Sequence, residues 1–243
     1  MTAKKIKLQS IYLRKAEKRL GNEVWIVNGP KIRLVIYDEF LLGGNDQRYK
    51  FVPKNEIWVD GSAGSLEYEY TTMHEVYERD LMESKGMTYN KTHNLALKIE
   101  IEERKKNKII CEKHGKEVNL KNIYHFYWGT RDGRKIWIVD GAVVRRDLFP
   151  DFCYSGNDLA YKFIPRGEIW IDLNISCSEI EYQIVHQLTE RKMLESGMKI
   201  SDAYVKGTEA QTKLRVKDLK EVTEKEKNTP MVEFGTREKG IKI

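Results

Sequence analysis

The chain has 243 residues, 40% hydrophobic and 10% aromatic, enough to bury one large core or two small ones. Its 43 basic and 37 acidic residues are interspersed, so the net charge of +6 forms no basic stripe and gives no positive indication of nucleic-acid binding. Apolar runs are short, Met1-Thr2-Ala3-Lys4-Lys5 leads into a polar stretch, and Cys111, Cys153 and Cys177 are odd in number and widely spaced; the expectation is a cytoplasmic protein with no signal peptide, membrane span or disulfide framework.

The chain is an internal repeat. Residues 8–84 align with residues 120–196 at a constant offset of 112, with about 30 of the 77 positions identical. Trp25-Ile26-Val27 recurs as Trp137-Ile138-Val139, Gly44-Asn45-Asp46 as Gly156-Asn157-Asp158, and Glu56-Ile57-Trp58 as Glu168-Ile169-Trp170. A one-residue deletion at Lys85 carries the alignment further. Such a repeat predicts an α+β protein of two like modules, residues 1–103 and 120–216, joined by a charged linker at 104–119 and followed by a charged, flexible tail at 217–243. Fused copies of one module commonly pack as an internal pseudodimer.

Within a module, Glu23–Val27 reads as a strand, Asn28-Gly29 as a hairpin turn, and β-branched Ile32–Ile36 as the returning strand. Tyr49–Val52 and Glu56–Asp60, separated by Pro53, complete a sheet of about four strands. The period then changes. Leu66, Tyr70, Met73, Tyr77 and Leu81 fall at helical spacing up to Gly86, a C-terminal cap, and a second helix begins near Thr88. In the second copy, Ser178-Glu179-Ile180-Glu181 reads as a capping box and Ser201 as the cap of the last helix.

Chemistry concentrates in Met73-His74-Glu75-Val76-Tyr77-Glu78-Arg79. His74 and Glu78 are four apart and share one helix face. Glu78 lies eight residues before Gly86 and His93 seven after it, so in an antiparallel helical hairpin, rising about 1.5 Å per residue, the two reach equal height. His74, Glu78 and His93 thus form a candidate ligand set for Zn²⁺ that leaves a fourth position open. Glu75 is the candidate general base.

A strand feeding a His-Glu helix, over about residues 56–96, resembles the zincin class of metallopeptidases, whose motif is H-E-x-x-H; Glu78 stands where that motif has its second histidine. The resemblance implies a zinc-dependent hydrolase of the peptidase kind. The longer pattern, His-Glu-x-x-Glu-Arg followed by Gly-x-x-Tyr-x-x-x-His, also looks like that of small microbial and phage proteins, which implies no particular reaction. The second copy keeps His186, Glu190 and Arg191 but has Gln187 and Tyr204 opposite Glu75 and His93, so any chemistry belongs to the first module.

The competing reading makes His74, Glu78 and Arg79 a polar network on a helix surface of a non-catalytic scaffold that binds a protein or peptide partner. A third gives nucleic-acid binding to Arg14-Lys15 and Arg104–Lys108. Four smaller expectations accompany these. Cys111-Glu112-Lys113-His114 has half of a zinc-site spacing; His125 belongs to an aromatic core with Tyr124, Phe126, Tyr127 and Trp128; the tryptophans of the matching strands pack in cores; Glu56, Asp60 and their copies Glu168 and Asp172 cap strand ends or pair with Arg33 and Arg145.

Overall fold

A computed structural model describes residues 10–113 and 120–228. His114, the Cys111 side chain and residues 229–243 of the expected tail lie outside the described residues. The first module runs β1 (Tyr12–Arg19), β2 (Asn22–Val27), α1 (Gly29–Val35), β3 (Gly43–Asn45), β4 (Glu56–Asp60), α2 (Ser65–Lys85) and α3 (Tyr89–Lys113). The second repeats it as β5 (Tyr124–Arg131), β6 (Arg134–Val139), α4 (Gly141–Asp147), β7 (Ser155–Asn157), β8 (Glu168–Asp172), α5 (Ile180–Glu195) and α6 (Ile200–Asn228). The protein is α+β, two four-stranded sheets each followed by a pair of long helices.

Both sheets have the same order, β1-β2-β4-β3 and β5-β6-β8-β7. The outer pairings are antiparallel and the central β2–β4 and β6–β8 pairings parallel. Strand β4 is buried on both faces, which is why it reads as an unbroken apolar run. Trp58 packs with Val27, Ile32, Phe40 and Val52 on one face, while Ile57 and Val59 join Val24, Ile26 and Val76 of α2 on the other. Trp58 and Trp170 are core residues, 0% and 2% exposed, and Tyr12 and Tyr124 meet them edge to face, while Trp25 and Trp137 pack against the same cores partly buried.

The expected hairpin at Asn28-Gly29 is a helix start. Asn28 Oδ1 accepts the Lys31 amide, Pro30 occupies the first turn, and Ile32–Val35 continue α1 instead of returning as a strand. Asp140 caps α4 in the same way through the Ala142 and Val143 amides. Gly29 is required for a different reason: a Cβ there would lie 1.8 Å from Asp60 Oδ2. The real hairpin joins β1 to β2 through Leu20 and Gly21, both at positive φ. Tyr49–Val52 is likewise no strand. Asn45 Oδ1 accepts the Gln47 and Arg48 amides and turns the chain, so that Tyr49 and Phe51 become plugs of the first core.

Other expectations also change. Residues 104–113 continue α3, and Arg104 is 2% exposed, so the first ten residues of the expected linker are helical. Helix α6 likewise continues past 217 to Asn228. No capping box forms at Ser178: Cys177–Glu179 is a short 3-10 turn, and Glu179 is taken by arginines. Ser201 lies inside α6. His125, Phe126, Tyr127 and Trp128 sit exposed on edge strand β5, and only Tyr124 of that group packs inward. Among the described residues, no helix is long and apolar enough to cross a membrane.

The modules meet through reciprocal ion pairs. Arg33 Nη1 donates to Asp60 of its own β4, and its Nε to Glu179 of the second module, both at 2.8 Å. Arg145 does the converse, Nη1 to Asp172 at 2.8 Å and Nε to Glu67 of the first module at 2.7 Å. Leu41 and Leu42 pack into the second module's core, and Tyr154 donates to Asp60. Because the Asp60 carboxylate occupies the space of a Gly29 side chain, Gly29→Ala is expected to destabilise the protein by about 2 kcal/mol or more. Urea unfolding checks this, and an unchanged midpoint would refute the close approach.

Candidate metal centre

Helices α2 and α3 form the anticipated antiparallel hairpin. Gly86 takes the left-handed conformation (φ 60°), its amide bonding the Leu81 carbonyl, and the Thr88 carbonyl receives the first amides of α3. This turn brings His74, Glu78 and His93 together in a pocket of about 250 Å³. His74 Nε2 lies 3.1 Å from His93 Nδ1 and 3.7 Å from Glu78 Oε2, and His93 Nδ1 lies 3.3 Å from Glu78 Oε2. Donors about 2.0–2.1 Å from a tetrahedral Zn²⁺ stand roughly 3.3 Å apart, so the triangle fits that ion.

The far side of each imidazole faces a carboxylate. His74 Nδ1 is 2.9 Å from Glu100 Oε2, and His93 Nε2 is 3.8 Å from Asp151 Oδ1, which the second module supplies. A carboxylate behind a histidine fixes its tautomer and turns the other nitrogen toward the ligand position. Glu75 lies beside the trio but does not join it. Asn45 Nδ2, brought in on β3, donates to Glu75 Oε2 at 2.8 Å and to Glu78 Oε1 at 3.0 Å, holding the two carboxylates side by side.

Electrostatics separates these groups. Burial and the neighbouring Glu78 charge push Glu75 up to about 7. Glu78 goes the other way: burial opposes its charge, yet hydrogen bonds from His74 and His93 bring it down to about 2. For His74, burial is outweighed by Glu100 and Glu78, which raise it to about 10. His93 is raised to about 9 by Asp151 and Glu78. A ring-to-ring contact at 3.1 Å needs one N–H and one lone pair, so the two rings are not both doubly protonated.

Behind His74 runs a buried chain of charges. Arg104 donates to Glu100 Oε1 at 2.7 and 2.8 Å and to both oxygens of Glu67 at 2.8 and 2.9 Å, and Glu67 receives Arg145. An unbroken path thus joins Asp172 in the second module's sheet to a candidate ligand in the first. Asn45, Glu100 and Asp151 were not singled out from the sequence. Of these only Asn45, shared by both copies in Gly-Asn-Asp, left a readable signal.

The second module builds the same scaffold without the trio. Tyr204 takes the place of His93, Gln187 of Glu75 and Gln211 of Glu100. Deprived of that glutamate, Arg215 Nε has no partner, and neither has His186 Nε2. The charge states invert with the neighbours. Burial takes His186 down to about 4 and Glu190 up to about 7, so the His-Glu pair ionised in the first module is neutral in the second between about pH 4 and 7. The rim pairs Glu39 with Thr208 and Asp38 with Thr212 across the modules.

No protein family, curated protein or solved structure compared with this chain matches it.

Glu190 offers a pH test. Its folded value exceeds the ordinary carboxyl value of about 4.3, so its contribution to stability is full below that value and lost as the pH rises through about 7. Glu190→Gln is therefore expected to stabilise the protein at pH 8 by up to about 2 kcal/mol, with little effect at pH 4.5. Urea midpoints at both pH values check this; an equal change at both contradicts it.

Proposed function

We propose that the chain is a metal-dependent hydrolase of the zinc-peptidase kind, with its site in the first module and a degenerate second module that completes the pocket. The carrying observation is the His74–Glu78–His93 triangle at zinc-like donor separations, with a carboxylate behind each histidine. A Zn²⁺ held by three protein groups supplies a Lewis acid and a water of lowered pKa. Glu75, beside the trio but not in it, would serve as the general base for that water. Asn45 keeps Glu75 beside the trio, and Glu100 and Asp151 orient the imidazoles.

In this reading the modules are related by a pseudo-two-fold axis, as in a fused homodimer. The exchanged Arg33–Glu179 and Arg145–Glu67 pairs support it, since each contact recurs with the modules interchanged. The rival, a scaffold without catalysis, draws on the second module, which keeps the fold without the trio. Of the Arg104–Lys108 segment that the nucleic-acid reading uses, Arg104 is buried on Glu67 and Glu100, while Lys105 and Lys106 are exposed and pair with Glu102 and Glu103.

Elemental mass spectrometry of protein purified without chelator is expected to find about one zinc per chain, lost in Glu78→Ala and His93→Ala. Glu75→Gln is expected to keep the metal while slowing hydrolysis of peptide or ester substrates by roughly 10²–10⁴-fold. A metal-free protein whose Glu78→Ala variant folds unchanged would remove the hydrolase reading and leave the scaffold.

A further inference from the structure

One cation in this pocket is held in place without being neutralised. Arg48 lines the cavity with the trio, and its guanidinium lies over the Tyr89 ring, 3.8 Å from the centroid, with Tyr49 at 5.4 Å. Tyr89 in turn packs on His93, ring centroids 5.4 Å apart and planes 31° apart. The stack fixes the guanidinium relative to a candidate metal ligand. Among the described residues no carboxylate pairs with Arg48, whereas Arg33, Arg79, Arg104 and Arg145 each bind one at 2.8 Å or closer.

The pocket's own acids are engaged elsewhere. Glu75 and Glu78 are held by Asn45, Glu78 also by the histidines, Glu100 by His74 and Arg104, and Asp151 faces His93. Tyr49 is a neutral hydrogen-bond partner of Arg48, and a guanidinium stacked on an aromatic ring keeps the rest of its donor edge for a planar or tetrahedral oxyanion. The comparison within the chain points the same way. The second module has Ala160 for Arg48 and Ile200 for Tyr89, so the Arg–Tyr stack is missing from the module that lacks Glu75 and His93.

We infer that Arg48 is the specificity residue of this pocket: it binds an anionic oxygen group of the substrate, a carboxylate or a phosphate, beside the bond that the His74–Glu78–His93 site addresses. The inference rests on the hydrolase reading for the reacting bond, but not for the anion itself. A peptide's terminal carboxylate and a phosphate ester both carry the required group. Neutral substrates leave Arg48 unused.

The test is calorimetric titration of the full chain, zinc-loaded and zinc-stripped, with acetate, succinate and 3-phosphonopropionate. Acetate offers one anionic group, and the other two offer a second for Arg48. Zinc-loaded protein is expected to bind a dianion about tenfold more tightly than acetate, or better. Arg48→Ala is expected to bring that dianion to the acetate level with zinc content unchanged, and Arg48→Lys to recover part of the difference. Whether succinate or the phosphonate gains more distinguishes carboxylate from phosphate. Equal dianion preference in wild type and Arg48→Ala, with zinc bound, overturns the role of Arg48 and spares the metal reading. Absence of zinc with an Arg48-dependent dianion preference removes the metal reading and upholds the anion site. No dianion preference in either form overturns the inference.

Discussion

Two buried guanidinium groups, Arg33 and Arg145, set the geometry on which everything else rests. A charge taken fully out of water is tolerable only with carboxylates at hydrogen-bond distance. Each arginine finds one carboxylate on its own sheet and the other on the opposite module, so neither half satisfies its arginine alone. Losing one partner from such a pair costs on the order of 3–5 kcal/mol, a large share of the stability of an ordinary domain. Through Glu67 the same network reaches Arg104, Glu100 and then His74, so the register between the modules and the posture of that imidazole are one constraint. Burial opposes the charge of Glu67, but Arg104 and Arg145 hold its carboxyl below the ordinary range.

The two copies act as an internal experiment in electrostatics. His74 with Glu78 and His186 with Glu190 share a spacing, a helix and a sheet behind them. Their protonation differs because of what stands nearby. Glu100 and His93 on one side, with Asp151 reaching in, favour the ionised pair; Gln211 and Tyr204 on the other leave burial as the main influence, and the pair is neutral between about pH 4 and 7. Gly207, in place of Ala96, fits against the His186 ring, where a Cβ would come within 2.9 Å. The second pocket keeps a cavity of about 220 Å³ walled by Asp38, Glu39 and Asp151, but Arg215 Nε and His186 Nε2 have no hydrogen-bond partner.

Much of this was legible in the residues. The duplication, both buried strands, the helical hairpin and the meeting of His74, Glu78 and His93 followed from identity, period and turn arithmetic. Asn28-Gly29 misled because the hairpin signature coincides with a helix cap; the second copy forms the same helix behind Asp140 with Ala142 in place of Pro30, so the cap and not the proline is the shared cause. Strand β1 escaped because Arg14–Arg19, on an exposed edge, has no alternation to read. The corresponding turn in the second copy, Asp132-Gly133 at φ 51° and 72°, carries the type I′ hairpin signature. Glu100 could be recognised only once His74 had a known orientation. Asp151 belongs to a loop of the other module, and no local pattern points from there to His93.

That loop has a consequence for how the protein can change over time. Pro150, Asp151 and Cys153 wall the first pocket, and Asp38, Glu39 and Leu41 wall the second. Leu41, Asp151 and Cys153 line both, so each half contributes one segment to its neighbour's pocket as well as to its own. A substitution in the wall segment of one half therefore alters the pocket of the other, and the two segments are not free to change independently. A single half standing alone would need a second copy of itself to close its pocket.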